Sequence, residues 1–376
     1  LGLLIVRRLH LLRFRVSLLM FDDLYNRQKI LRSLNVYRYR GFVTFRDKLK
    51  VIVILLISIC HYDCLMGQNY LEYQRIMNRV DEDLFAEDNS LALARLDSVF
   101  CQFDFIFAKH CLKALQISLF ENDSARANKW LAKSFVQGIP LTVIGLDSLA
   151  GKSLEASMTE KTIALYDSLH RAYESRINLS LSRKIDSLLV IDQKYTRKVN
   201  DGFFLLKYTV YYKQWLRNNR RQFLIIHEIT KQYGFPGERL VGLGSQLEDS
   251  WSLRFFQRVG LDFLGDKRAY FMLLHYYSSP RRDLNDELMQ SLTNGYLPAY
   301  QYAAINDFLA RWGRGIYGDY KYFNVWHIDP DKMSLYDVNQ RRHSIGLSDY
   351  DKQLRNEIIY NKRWNNRREL NGVILE

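Results

Sequence analysis

Residues 152–201 read KSLEASMTEKTIALYDSLHRAYESRINLSLSRKIDSLLVIDQKYTRKVND. The stretch holds neither Gly nor Pro, the residues that most often interrupt a helix. Within it Tyr166, Leu169, Tyr173, Ile177, Leu181, Ile185 and Leu188 recur every three or four positions. That period lines one helical face and predicts a long amphipathic helix, or two in line. Ser157-Met158-Thr159-Glu160 reads as a capping box at its start, the Ser oxygen taking one backbone N–H and the Glu reaching back to another. Packing against neighbouring helices is the expected use of the stripe, and binding a partner helix is the alternative.

Upstream, Gln68 to Gln137 is also free of Gly and Pro. It divides at Glu87-Asp88-Asn89-Ser90, near Gln102-Phe103-Asp104, and at Glu121-Asn122-Asp123-Ser124, which are N-cap residues at hairpin spacing. Helical hairpins are therefore expected over 68–150. The segment Ala108–Gly138, with Ala114, Leu115, Leu119, Ala125, Ala127, Leu131 and Ala132, resembles a degenerate tetratricopeptide-type hairpin.

Downstream of Asp201-Gly202 aromatics become frequent and Gly and Pro return, which places a domain boundary near residue 195, with 151–195 as connecting helix and 196–376 as an aromatic-rich helical domain. Phe203, Phe204, Tyr208, Tyr211, Tyr212 and Trp215 have the spacing of a buried helix face; a sugar-stacking platform is the alternative. Arg221–Tyr233 is predicted as a helix closed by Gly234, with Pro236 preventing its continuation. Further helices are expected at about 246–259, 266–277, 284–293, 298–312, 336–344 and 349–364, with a loop or short strand pair over 313–330. The fold class expected is all-α.

The other end of the chain carries an address. Arg46-Asp47-Lys48-Leu49-Lys50 runs into the apolar stretch Val51–Ile59 and ends near Gly67-Gln68. A stretch of this length suits a signal peptide and falls short of the roughly twenty residues of a spanning helix. Residues 46–67 are thus expected to direct export to the periplasm or envelope, with a lipid on Cys60 as an alternative anchor and residues 1–45, which begin with Leu1, as a doubtful upstream extension. The net charge is +13, from 54 Lys and Arg against 41 Asp and Glu, but residues 1–50 hold 12 of the former and 3 of the latter, leaving 42 against 38. A body so nearly balanced does not suggest nucleic-acid binding. Its dense basic cluster, Arg355, Lys362, Arg363, Arg367 and Arg368, suits a solvated terminal helix, a polyanion or membrane surface being the other use. Cys101 and Cys111 are expected as separate buried thiols rather than a disulfide.

No reaction is specified by motif. His227-Glu228 lacks the second His of a zinc-protease helix, and Gly242-Leu243-Gly244 lacks the rest of a phosphate loop. His327, Asp329, Asp331 and His343 could meet as metal ligands, but Asp329-Pro330-Asp331 reads as an ordinary turn, and no metal or cofactor is expected.

Several pieces in order carry a family likeness: Tyr233-Gly234-Phe235-Pro236-Gly237, Leu240-Val241-Gly242, Phe256-Gln257, Tyr317-Gly318, and Arg341-Arg342 followed by Gly346-Leu347. They resemble an uncharacterised bacterial domain family with a Tyr-Gly-Trp/Phe-Pro-Gly turn, a Gln-His pair, a Tyr-Gly-Thr-Gln segment and an Arg-Arg-x-x-x-Gly-Leu ending. The likeness spans about residues 190–350 and implies a shared polar pocket without implying an activity. The chain departs from it at Arg258, where the family has His, at Asp319-Tyr320, where it has Thr-Gln, and at Phe308 after Asp307, where it tends to have Arg. The candidate ligand-binding residues are Gln257, Tyr317, Asp319, Arg341 and Arg342. Arg341 and Arg342 would clamp a carboxylate or phosphate; otherwise one pairs with Asp337 or another acid and the other is solvated. The function expected is binding or scaffolding in the envelope, with a protein partner; the alternative is a hydrolase-like enzyme built on those five residues.

Overall fold

The computed structural model describes residues 68–147, 150–152, 160–244, 264–278, 284–312, 322–325 and 334–355, all within one compact unit, Gly67–Glu376. The fold is all-α, and no strand occurs among the described residues. The helices are α1 Tyr70–Phe85, α2 Asn89–Gln102, α3 Ala108–Phe120, α4 Ser124–Val136, α5 Leu141–Leu146, α6 Glu160–Arg176, α7 Leu179–Asp201, α8 Tyr212–Tyr233, α9 Arg268–Tyr277, α10 Asn285–Thr293, α11 Ala299–Trp312 and α12 Leu335–Ser344. Residues 350–355 are helical as well.

The predicted breaks between 68 and 137 are observed, and local chemistry makes them. Asp88 accepts from Leu91 N at 2.9 Å and Asp123 from Arg126 N at 3.0 Å, each capping a new helix. The loop before each cap passes through a left-handed residue, Glu87 (φ 62°) or Asn122 (φ 56°). Two hairpins result, α1 with α2 and α3 with α4.

Two apolar clusters hold the unit together. One draws on α1 to α5, around Tyr73, Leu93, Leu96, Trp130 and Phe135. The other draws on α7 to α12, around Phe223, Phe235, Tyr277, Tyr302 and Phe323. Each fully buried large side chain contributes about 1.5–3 kcal/mol of transfer free energy before entropy is counted.

The long stripe is two helices. Asn178 breaks it, its Oδ1 accepting from Leu181 N at 3.0 Å to start α7. The stripe changes partners at the break: Tyr166 and Leu169 pack on the first cluster, and Leu181, Ile185 and Leu188 on the second. Helix α7 continues through residue 195 and ends at Gly202. The Ser157 box lies outside the described residues.

Two expectations need correction. Phe203, Phe204 and Tyr212 are exposed, so the aromatic run after Gly202 is not a buried face, because it opens the turn from α7 to α8 and packs chiefly on those two helices. Tyr211 and Trp215 are half-buried. The cysteines are free, as expected, but Cys101 is exposed at the end of α2 while Cys111 is buried in α3.

The two hairpins are tied to the later part of the chain by specific contacts. Asn78 donates to the Gly346 carbonyl at 2.6 Å, Arg239 pairs with Asp104 at 2.6 Å, and Ala108 N donates to Glu238 at 2.6 Å. No described helix is long and apolar enough to cross a membrane.

Candidate functional site

The Tyr233–Gly242 segment builds one wall of an open cleft. Helix α8 closes at Gly234, whose φ of 92° is readily open only to glycine and whose N–H donates to Thr230 O at 3.0 Å. Phe235 turns inward and is fully buried, and Glu238–Val241 forms a single helical turn. The Leu240 carbonyl accepts from Asn178 N at 2.9 Å, which pins this turn to the break between α6 and α7. Around that junction lies a cleft of about 590 Å³, its lining including Asp104, Phe105, Arg176, Arg239, Leu240 and Tyr296.

Two guanidinium groups face the cleft, and they differ. Arg239 donates to Asn294 O at 2.9 Å and to Asp104 Oδ2 at 2.6 Å. Its guanidinium carbon lies 5.2 Å from the Tyr296 ring centroid and 5.3 Å from that of Tyr70. Aromatic faces attract a cation at such distances. Asp104 accepts in turn from the Tyr70 hydroxyl at 2.9 Å. Arg239 is therefore paired and boxed. Arg176 donates through Nη2 to Val136 O at 2.9 Å and to Gln137 Oε1 at 2.5 Å, both neutral acceptors, and sits 5.7 Å from the Phe105 centroid. Burial pulls its pKa below the usual arginine value, the nearby Glu238 acting against that, and the group stays charged.

The Glu238–Leu243 segment also meets a buried polar layer. Glu238 is pushed up to about 8 by burial; the Ala108 N–H holds it down, Asp266 adds to the rise, and Arg176 opposes it. Arg268, also buried, pairs with Asp266 and Asp186 at 2.7 Å each and donates to the Val241 and Gly242 carbonyls at 3.3 and 3.2 Å. The Tyr173 hydroxyl accepts from Leu243 N at 2.7 Å. Gly242 has φ 71°, and a Cβ there would lie 2.1 Å from the Tyr173 oxygen, so the approach requires glycine.

Of the residues singled out by sequence, Gln257, Tyr317 and Asp319 lie outside the described residues. Arg341 and Arg342 sit together on α12 but not alike: Arg341 is half-buried and Arg342 is fully buried. Arg342 donates through Nε to Ser348 O at 2.7 Å, through Nη1 to Phe323 O at 2.9 Å, and through Nη2 to Gln353. Its fork holds the Phe323 and Ser348 main chain and Gln353 rather than facing outward, so Arg342 is not a solvated side chain. Asp337 accepts from Ser334, the N-cap of α12, at 2.6 Å. Nearby, Asp307 accepts from Phe323 N and Val325 N and is pushed up to about 6 by burial, with those N–H groups and Arg342 holding it down. Arg342 and Asp307 thus clasp the 322–325 segment between them.

Sequence reasoning missed Arg176, Arg239 and Tyr296. Arg239 lies two residues past the glycine-proline turn and Arg176 ends the helix before the break, positions that mark them only once the two segments are known to meet. No described group of three His, Cys, Asp or Glu side chains is placed to hold a metal. The cleft lining named above offers hydrogen-bond donors, aromatic faces and a surplus positive charge, which suits recognition of an acidic group.

The chain matches no family model, no curated protein and no solved structure.

Proposed function

We propose that this is an exported binding protein of the bacterial envelope whose cleft receives an acidic segment of a protein partner. Arg176 carries the reading, as a guanidinium lining the cleft and donating to the neutral oxygens of Val136 and Gln137. A carboxylate meeting its Nη1 adds a charge-assisted hydrogen bond, while Phe105, Tyr296 and Leu240 offer an apolar bed for the neighbouring side chain. The basic-then-apolar sequence of residues 46–59 supports export. The hairpins of α1 to α4, with their tetratricopeptide-like sequence, support a role in presenting a partner surface. The hydrolase alternative rests on the sequence motif alone.

The test is fluorescence anisotropy with a labelled Phe-Glu-Phe-Glu peptide and its Phe-Gln-Phe-Gln counterpart. The acidic peptide is expected to bind at least about tenfold more tightly, a difference of about 1.4 kcal/mol, and Arg176→Ala is expected to abolish the preference. Equal binding of both peptides, or an unchanged preference in the variant, removes the proposal. Export is checked separately by the N-terminal sequence of the protein recovered from the envelope; recovery from the cytoplasm alone contradicts it.

A further inference from the structure

The turn between α7 and α8 exposes four consecutive large apolar side chains. Helix α7 stops at Gly202, and Phe203, Phe204, Leu205 and Leu206 follow at 64%, 70%, 64% and 39% exposure. The chain then passes through a π-helical turn, Lys207–Tyr211, into α8. Such a run on a folded surface marks an interaction site, because side chains of this kind are otherwise taken out of water.

The surroundings identify the partner by its chemistry. Between residues 194 and 217 the chain carries Lys194, Arg197, Lys198, Lys207, Lys213 and Arg217 against a single acid, Asp201. Lys194, Arg197, Lys213 and Arg217 are exposed. Tyrosine and tryptophan are interleaved with these charges: Lys198 Nζ is 5.8 Å from the Tyr211 ring centroid, the Tyr212 and Trp215 ring centroids lie 5.7 Å apart, and Trp215 Nε1 donates to Thr196 at 3.2 Å. An apolar tip flanked by amphipathic aromatics and basic side chains matches what a lipid leaflet offers: acyl chains, an interface and anionic headgroups.

We propose that the tip Phe203–Leu206 inserts into an anionic phospholipid surface, with the basic collar resting on the headgroups. The attachment is interfacial, since no described helix is long and apolar enough to span. A second copy of the chain is the poorer occupant, because a self-complementary contact at the tip brings two basic collars together.

The experiment is co-sedimentation of the full chain with phosphatidylcholine vesicles, with and without phosphatidylglycerol, for wild type and the Phe203→Asp/Phe204→Asp double variant. Any binding that Val51–Ile59 contributes is common to both chains, so the difference between them is the readout. Phosphatidylglycerol is expected to strengthen wild-type binding, salt to weaken it, and the double variant to bind at least about tenfold more weakly. A fluorophore on Phe204→Cys, in a Cys60→Ser/Cys64→Ser/Cys101→Ser background that leaves only the buried Cys111, is expected to shift to the blue on adding anionic vesicles, which reports burial of that position whatever the double variant's folding. Equal sedimentation of the two chains with no spectral shift overturns the proposal. So does a shift without vesicles that grows with protein concentration alongside a dimer in light scattering, because a second copy then covers the tip.

Discussion

The Glu238 carboxylate caps a helix to which it does not belong: its Oε1 accepts from the backbone N–H of Ala108 at 2.6 Å, across 130 residues of chain. Helix α3 begins after Phe107, which has no side-chain oxygen to satisfy the first-turn donors. The cap arrives from the Tyr233–Gly242 segment instead. The helical turn that presents Arg239 to the cleft is thereby fixed to the start of the second hairpin.

Replacing Glu238 separates this role into parts. Glu238→Ala leaves a buried N–H without its acceptor and is expected to cost about 1–3 kcal/mol in urea unfolding. Glu238→Gln keeps an acceptor for Ala108 and is expected to cost less. Equal and negligible losses in both variants would show that the cap contributes nothing.

Tyr173 fastens the same segment from the other side. Its hydroxyl accepts from the buried Leu243 N–H, so Tyr173→Phe is expected to cost about 1–3 kcal/mol with little change in packing. Gly242→Ala puts a Cβ against that hydroxyl at a positive φ and is expected to destabilise more than a loop Gly→Ala change at an ordinary φ, which is favourable by about 0.4–1 kcal/mol. Because the residues touch, a double-mutant cycle should show coupling of about 0.5–3 kcal/mol; strict additivity contradicts the contact.

How much of this was legible in sequence depended on how local the cause was. The breaks at Asp88 and Asp123 were visible because an N-cap acts within three residues of itself. Spacing could not say whether Phe203 and Phe204 were buried, because burial needs a partner element and the α7–α8 turn has none. The cleft was invisible for the same reason, since Arg176 and Arg239 meet through the Asn178–Leu240 hydrogen bond between distant segments. Arg342 was legible as an unusual cation but not as an inward one, its acceptors including the carbonyls of Phe323 and Ser348, which side-chain patterns do not reveal.

That inward fork yields a prediction about shape rather than charge. Arg342→Lys keeps the positive charge but cannot reach the Phe323 and Ser348 carbonyls and Gln353 with one planar group. It is expected to lose stability nearly as far as Arg342→Ala does, on the order of 2 kcal/mol or more, read as a lowered urea midpoint. Full stability of the Lys variant would mean that charge near Asp307 is the only requirement.

Two buried carboxylates contribute separable parts of the pH dependence. Glu238 rises from 4.5 to about 8 and Asp307 from 3.8 to about 6, in both cases mainly through burial. A carboxyl whose folded pKa lies above its unfolded value binds its proton more tightly when folded. Its contribution is therefore fully present below the unfolded pKa and is lost as pH rises through the folded one. Unfolding free energy from these groups should fall by the order of a few kcal/mol across that range, because each tenfold difference in proton affinity between the folded and unfolded chain is worth about 1.4 kcal/mol. Glu238→Gln is expected to flatten the curve between 4.5 and about 8, and Asp307→Asn only between 3.8 and about 6. The two windows overlap at their acid end and part above about 6, where Glu238 alone of the two still titrates. Urea titrations across the upper window thus isolate the Glu238 cap from the Asp307 clasp: a slope there that survives Glu238→Gln would place the responsible group elsewhere in the fold.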